Sequence, residues 1–213
     1  MKYAISMTIE IELKAHVKDF EALRLILQKK AEYRSAFEKE DRYWFPGTKS
    51  FSGISPIDVV DFPLLDFPST GLRIRRENRN FPDGTEGSFT FLTYKIKEVR
   101  DGIEINDERE FEIRPSSSNN GTAIEDLLIR LGLKPGISKR KRGWEFLHEN
   151  INADLAEVEN LGWFVELEIL ADNNREETIA QERRQLLDFL TSLGIGEEAI
   201  ESRFYSEMLK AKQ

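Results

Sequence analysis

The chain has 213 residues, of which 33% are charged and 39% hydrophobic, and its formal net charge is -8. It has no Cys and two His, His16 and His148, which excludes a disulfide scaffold, a thiolate nucleophile, an iron–sulfur cluster and any Cys- or His-rich zinc site within one chain. A metal site must therefore be built from oxygen donors, which favours Mg²⁺, Mn²⁺ or Ca²⁺. The acidic balance argues against bulk attraction to nucleic acid or an anionic membrane, although a local basic cleft stays open. There is no run of about 18 apolar residues, so no transmembrane helix is expected. The first residues, MKYAISMTIEIELK, become charged too soon for a signal peptide, and a soluble cytosolic (cytoplasmic) setting is expected.

Residues 3–15 alternate as a strand does, and Phe20, Leu23, Ile26 and Leu27 are spaced for an amphipathic helix over 18–30. Residues 31–45 read as extended and end in Tyr43, Trp44 and Phe45. Residues 46–70 hold four of the seven prolines and predict a long loop insertion. Strands are predicted near 71–79, 88–98 and 103–114, with turn signals at Asn80–Gly87 and Asp101–Gly102. Thr122 and Glu125 have capping-box spacing for a short helix ending near Gly132. Strands near 137–147, 150–158 and 162–171 follow. Helices are predicted over 175–193, with Gly194 as the stop signal, and over about 197–210. Roughly eight strands joined by short turns, with helices at the ends and middle, predict an α+β chain. Its centre is a closed or nearly closed antiparallel β-barrel forming a single domain over 1–213.

Five of these strands share one feature. Glu10, Glu12 and Lys14 alternate with Ile9, Ile11 and Leu13. Arg73 and Arg75 alternate with Leu72 and Ile74, and Lys95 and Lys97 with Tyr94 and Ile96. Glu108, Glu110 and Glu112 alternate with Arg109, Phe111 and Ile113, and Glu166 and Glu168 with Val165, Leu167 and Ile169. Side chains two apart share one face of a strand, so each set projects as a block. The plain reading is that such charges face water. Against it stand the sorting of signs by strand and the choice of Arg at 73 and 75, which suits fixed bidentate contacts to phosphate. Helices covering the apolar outer faces would leave the charges inside the barrel.

Glu10-Ile11-Glu12-Leu13-Lys14 is an ExExK motif, short by itself but accompanied by further blocks in order. These are Glu40-Asp41-Arg42-Tyr43-Trp44, Leu72-Arg73-Ile74-Arg75, Leu92-Thr93-Tyr94-Lys95, Arg109-Glu110-Phe111-Glu112, the run from Leu161 to Glu168, and Phe204-Tyr205-Ser206-Glu207-Met208-Leu209. Together they resemble the CYTH superfamily of class IV adenylyl cyclases and thiamine triphosphatases, the triphosphate tunnel metalloenzymes. The resemblance implies an eight-stranded antiparallel barrel around a charged tunnel. It implies Glu10, Glu12, Glu166 and Glu168 as ligands for Mg²⁺ or Mn²⁺, and Lys14, Arg73, Arg75 and Lys95 as phosphate contacts. Glu110, with Glu112, would be the acidic partners in the tunnel, and Lys14 would share in catalysis. In Lys139-Arg140-Lys141-Arg142-Gly143-Trp144 the preferred register turns Lys139 and Lys141 inward, whereas a slip of one residue would turn Arg140 and Arg142 inward. Where the family commonly has an Asp before the LG block, this chain has Ala156. Asp154, two residues earlier on the same face, is the expected substitute metal ligand; the alternative is that the site lacks that carboxylate, and the number of metal ions stays open.

The expected reaction is metal-dependent hydrolysis of a triphosphate: inorganic, thiamine or nucleoside triphosphate. The alternatives are a class IV adenylyl cyclase, converting ATP to cyclic AMP and pyrophosphate, and a catalytically weak polyphosphate-binding module. The expected partner is a small triphosphate-bearing substrate, with no nucleic acid and no membrane; a homodimer stays open. No P-loop, dinucleotide-binding Gly motif or G-x-S-x-G elbow is present.

Overall fold

A computed structural model describes residues 9–46, 70–114 and 122–212. Eight antiparallel strands close into a barrel: β1 (Ile9–His16), β2 (Glu32–Pro46), β3 (Thr70–Asn80), β4 (Glu86–Arg100), β5 (Ile103–Glu112), β6 (Leu133–His148), β7 (Ile151–Val158) and β8 (Gly162–Ala171). Their order around the barrel is β1-β5-β4-β3-β2-β6-β7-β8. The helices are α1 (Phe20–Lys30), α2 (Thr122–Arg130), α3 (Glu176–Ser192) and α4 (Tyr205–Lys210). The expected insertion at 46–70 falls almost entirely outside the described residues. Among the described residues no helix is long and apolar enough to cross a membrane.

The main apolar core lies outside the barrel wall. Ile9, Ile11 and Leu13 of β1 and Val165, Leu167 and Ile169 of β8 point outward, where Leu23 and Leu27 of α1 and Leu186, Phe189 and Leu190 of α3 cover them. Each strand thus keeps a period of two, with the apolar half under helices. Asp19 caps α1 by accepting from the Ala22 amide at 2.9 Å, and Lys29 and Lys30 sit in its last turn, where cations suit the helix dipole. Helix α2 covers a second cluster, with Leu128 on Trp44 and Ile74. The predicted capping box does not form, because Thr122 is already within the helix and the Glu125 carboxylate reaches Arg76 at 2.5 Å.

Two turns explain local sequence choices. Asp101 and Gly102 both have positive φ, 48° and 82°, the pairing that a tight two-residue hairpin requires between β4 and β5. At Gly143 a Cβ would lie 2.0 Å from the Leu155 carbonyl oxygen and 2.7 Å from the Ala156 Cα, so only Gly lets β6 and β7 approach.

The C-terminal region corrects one expectation. The helix predicted over 197–210 is broken into a 3₁₀ turn at Glu197–Ala199 and α4. Between them Ile200 bridges Ala15, and the Glu201 amide donates to the Lys14 carbonyl at 2.8 Å. The chain is thereby tied to β1, and α4 starts afresh with the Phe204 amide donating to the Glu207 carboxylate at 2.8 Å. Tyr205 and Met208 pack on Val158 and Phe164, so α4 caps one end of the barrel.

Candidate active site

The barrel interior holds a cavity of about 470 Å³ whose walls are mostly charged. Barrel order makes the arrangement intelligible, since β1 and β2 stand on opposite sides. Around β1, Glu12 lies directly across from Glu104 of β5 on one side and Glu168 of β8 on the other. Around β2, Asp41 lies across from Arg75 of β3 and Lys139 of β6. The lumen therefore has an acidic wall centred on β1 facing a basic wall centred on β2.

The basic wall is held by one buried carboxylate. Asp41 is fully buried, accepts from Arg75 Nε at 2.7 Å and Nη2 at 3.0 Å, and pairs with Lys139 at 3.0 Å and Arg73 at 3.5 Å. Burial would raise its pKa, but Arg75, Lys139 and Arg73 outweigh that and hold it well below the usual carboxylate range. Arg73 also donates to Glu108 at 3.1 Å, while its buried Nε has no hydrogen-bond partner among the described residues. Lys139 and Lys141 point inward, and Arg140 and Arg142 point outward to Glu40 and Glu157, as the preferred register has it. Lys141 reaches Glu166 at 2.6 Å, and Lys39 reaches Asp154 at 2.9 Å.

The acidic wall is under strain of like charge. Burial and then Glu10 push the Glu168 carboxyl up to about 8, and burial and Glu104 raise that of Glu12. Like charges placed directly opposite on a sheet destabilise it, so a folding advantage does not account for the Glu104–Glu12–Glu168 row. Lys95 relieves part of the repulsion, contacting Glu10 at 2.5 Å, Glu108 at 3.0 Å and Glu12 at 3.8 Å. Asp154 Oδ1 and Asn106 Oδ1 are buried acceptors with no partner among the described residues. Glu104, by contrast, pairs with Lys14 and lies 3.6 Å from Lys97, and those cations pull its carboxyl down to about 2 against the effect of burial.

Most of the expected site residues meet here. Glu10, Glu12, Arg73, Arg75, Lys95, Glu110, Lys139, Lys141, Asp154, Glu166 and Glu168 all line the one cavity. Two stand apart. Lys14 is 2% exposed and points into the barrel, but it is tied to Glu104 beside the Tyr205 ring and is not part of the cavity wall. Glu112 is corrected. It shares the face of Glu110, but β5 ends there, and the side chain is exposed and pairs with Arg114 at 3.4 Å. Ala156 is fully buried and adds no oxygen, so Asp154 is the carboxylate that β7 brings to the lumen. Sequence reasoning passed over Lys39 and Glu104, placed Glu108 on a charged strand face without a role, and met Asp41 and Tyr205 only within motifs. Parity with residues already chosen would have found Glu104. Tyr205 donates to Glu166 at 2.6 Å and lies under Lys14 and Lys139 from the capped end, a position that no strand period predicts.

The residues suit a divalent cation by donor type, all oxygen, and by the excess of crowded carboxylates on the β1 wall. Among the described residues no three carboxylates already stand in a ligating cluster, because Lys95 lies between them.

A barrel closed around sorted charges is the fold of a tunnel protein, and the comparisons agree. The CYTH domain signature matches residues 60–205, and the chain belongs to that family. A Methanocaldococcus jannaschii protein named "Putative adenylate cyclase MJ0240" is 30% identical over 152 residues, covering 67% of this chain and 74% of that protein. The PH1819 protein from Pyrococcus horikoshii shares the structure with a TM-score of 0.73 at 26% identity, over 96% of this chain and 99% of that one. The PH1012 protein of the same organism gives a TM-score of 0.65 at 27% identity, over 93% and 98%.

Proposed function

We propose that this chain is a divalent-metal-dependent enzyme that hydrolyses a triphosphate inside its barrel. The observation that carries the reading is the pairing of opposed walls, with the Glu104–Glu12–Glu168 row facing the Arg75–Asp41–Lys139 row. A triphosphate carries about four negative charges, and a buried cluster of Arg and Lys is the natural clamp for them. Arg73, Arg75, Lys95, Lys139 and Lys141, all lining the cavity, would hold the phosphate oxygens. Glu10, Glu12 and Glu168, with Asp154 and Glu166 beside them, would hold Mg²⁺ or Mn²⁺. Bound there, the ion would neutralise phosphate charge and make a bound water more acidic, so no His base is needed. Lys95 would pass from its carboxylates to the incoming phosphate. Glu110 accepts from Thr93 Oγ1 at 3.0 Å and would orient the attacking water. That water would give up a proton and bond to the terminal phosphorus as the bridging P–O bond breaks, so that the shortened diphosphate end leaves and the terminal phosphoryl group becomes orthophosphate.

The name of the M. jannaschii relative favours a second reading, in which the ATP 3′-hydroxyl attacks the α-phosphorus and pyrophosphate leaves. Both need the same clamp. A panel of inorganic triphosphate, thiamine triphosphate and ATP, with Mg²⁺ or Mn²⁺, separates them when orthophosphate, pyrophosphate and cyclic AMP are scored apart. The hydrolase reading expects orthophosphate from at least one of the three. Cyclic AMP with stoichiometric pyrophosphate would replace it with the cyclase. Binding with no product would leave a polyphosphate-binding module, for which Ala156 in place of the family's Asp is the structural argument.

A further inference from the structure

Two lysines stand side by side in the lumen, where folding gains nothing from them. Lys39 of β2 lies directly across from Lys141 of β6, and both are buried. Like charges placed directly opposite on a sheet destabilise it, so the pair is explained by what it faces. It faces Asp154 of β7. The Lys39 ammonium lies 2.9 Å from Asp154 Oδ2, and the Lys141 ammonium lies 3.4 Å from the same oxygen. The Phe37 ring, its centroid 4.0 Å from Lys39 Nζ, holds that ammonium from a second side. Lys141 goes on to Glu166 Oε2 at 2.6 Å, and Tyr205 donates to Glu166 Oε1 at 2.6 Å, so both oxygens of that carboxylate are engaged. Ala156, next on the same face of β7, adds no oxygen. The acidic region therefore has two unlike sides. On β1 and β8 the carboxylates of Glu10, Glu12 and Glu168 crowd together, and Lys95 contacts the first two. On β7 one carboxylate meets two ammonium groups. Asp154 Oδ1 is buried without a partner among the described residues, and it is the oxygen that a divalent ion would take there. Such an ion would stand beside both ammonium groups, and two fixed positive charges at close range oppose it.

We propose that Lys39 stands in for a divalent cation at Asp154, so that the barrel binds one metal ion, on the β1 wall, and excludes a second from β7. The inference rests on the reading of the β1 wall as a metal site, and it narrows the ligand set to Glu10, Glu12 and Glu168. Asp154 is then the counter-ion of the two lysines and not a metal ligand. Lys39 and Lys141 supply from the protein itself the positive charge that a polyanion meets on this side, one pleat from the Arg75–Asp41–Lys139 row. An ammonium suits this use, being a compact point charge with several donors on a flexible stem.

The test counts tightly bound Mn²⁺ on the full chain, without phosphate, from the loss of the free ion's electron paramagnetic resonance signal. Wild-type protein is expected to bind one Mn²⁺ per chain. Lys39→Met keeps an unbranched side chain against Phe37 and removes the charge. It is expected to bind a second Mn²⁺ at least about tenfold more tightly than the wild type binds any second ion. Lys39→Met combined with Asp154→Asn should return the count to one, which places the gained ion on Asp154. A thermal melt of each variant shows that the protein being counted is folded. Two tightly bound ions in the wild type overturn the proposal whether or not the variants fold. A count that stays at one in Lys39→Met, or a second ion that survives Asp154→Asn, overturns it as well. Wild-type protein that binds no Mn²⁺ at all would instead overturn the metal reading on which the inference depends.

Discussion

Arg73→Ala is expected to slow phosphate release by about 10²–10³-fold while the barrel stays folded. The argument is one of partners. Arg73 donates to Glu108 at 3.1 Å and lies 3.5 Å from Asp41, but neither carboxylate depends on it. Glu108 keeps Lys95 at 3.0 Å, and Asp41 keeps Arg75 and Lys139. Removal therefore leaves no buried carboxylate without a cation. What is lost is a buried guanidinium that lines the cavity and would stabilise the charge that develops as phosphate transfers. Arg73→Lys should not restore the rate, because an ammonium cannot reproduce the planar fork. Initial rates together with a thermal melt check this: an inactive but normally folded variant supports it, and a fully active one removes Arg73 from the clamp.

Asp41→Asn is expected to do the opposite, losing roughly 3–5 kcal/mol of stability. Asp41 is the fully buried carboxylate to which Arg73, Arg75 and Lys139 all point. An amide of the same volume keeps the packing and removes the charge, so these cations lose their shared counter-ion in low dielectric. The effect should appear as a fall in melting temperature of about 10 °C. Inorganic triphosphate should recover more of that loss in the variant than it adds to the wild type, since a bound polyanion supplies the missing charge. A variant that melts with the wild type would show that the basic wall does not need Asp41.

Much of this design is carried by alternation along strands. The period of two placed Glu10, Glu12, Arg73, Arg75, Lys95, Glu166 and Glu168 on common faces, and the outer helices decided which face became the lumen. The preferred register turned Lys139 and Lys141 inward, as the barrel has them, where charge pattern alone allowed Arg140 and Arg142. Alternation fails where a strand outruns the barrel, as at Glu112, because parity carries no information about depth. It is also blind to Tyr205, which reaches Glu166 from a helix at the capped end. The break between Glu197 and Tyr205 was hidden for a related reason. Helical spacing is local, whereas the Ile200–Ala15 bridge and the Glu201–Lys14 hydrogen bond are contacts of long sequence separation. Asp41 was visible only as part of a motif, and its role depends on two flanking strands that the sequence places far apart.

The central claim is that carboxylates on the β1 wall hold a metal ion that lets the opposite wall process a triphosphate. The most direct measurement is orthophosphate release from inorganic triphosphate as a function of Mg²⁺ or Mn²⁺ concentration, for the wild type and for Glu12→Gln. The account predicts that a chelator abolishes release and added metal restores it, and that Glu12→Gln needs at least about tenfold more metal for half its maximal rate. A full rate in chelator, or a Glu12→Gln variant that titrates with metal as the wild type does, would contradict it.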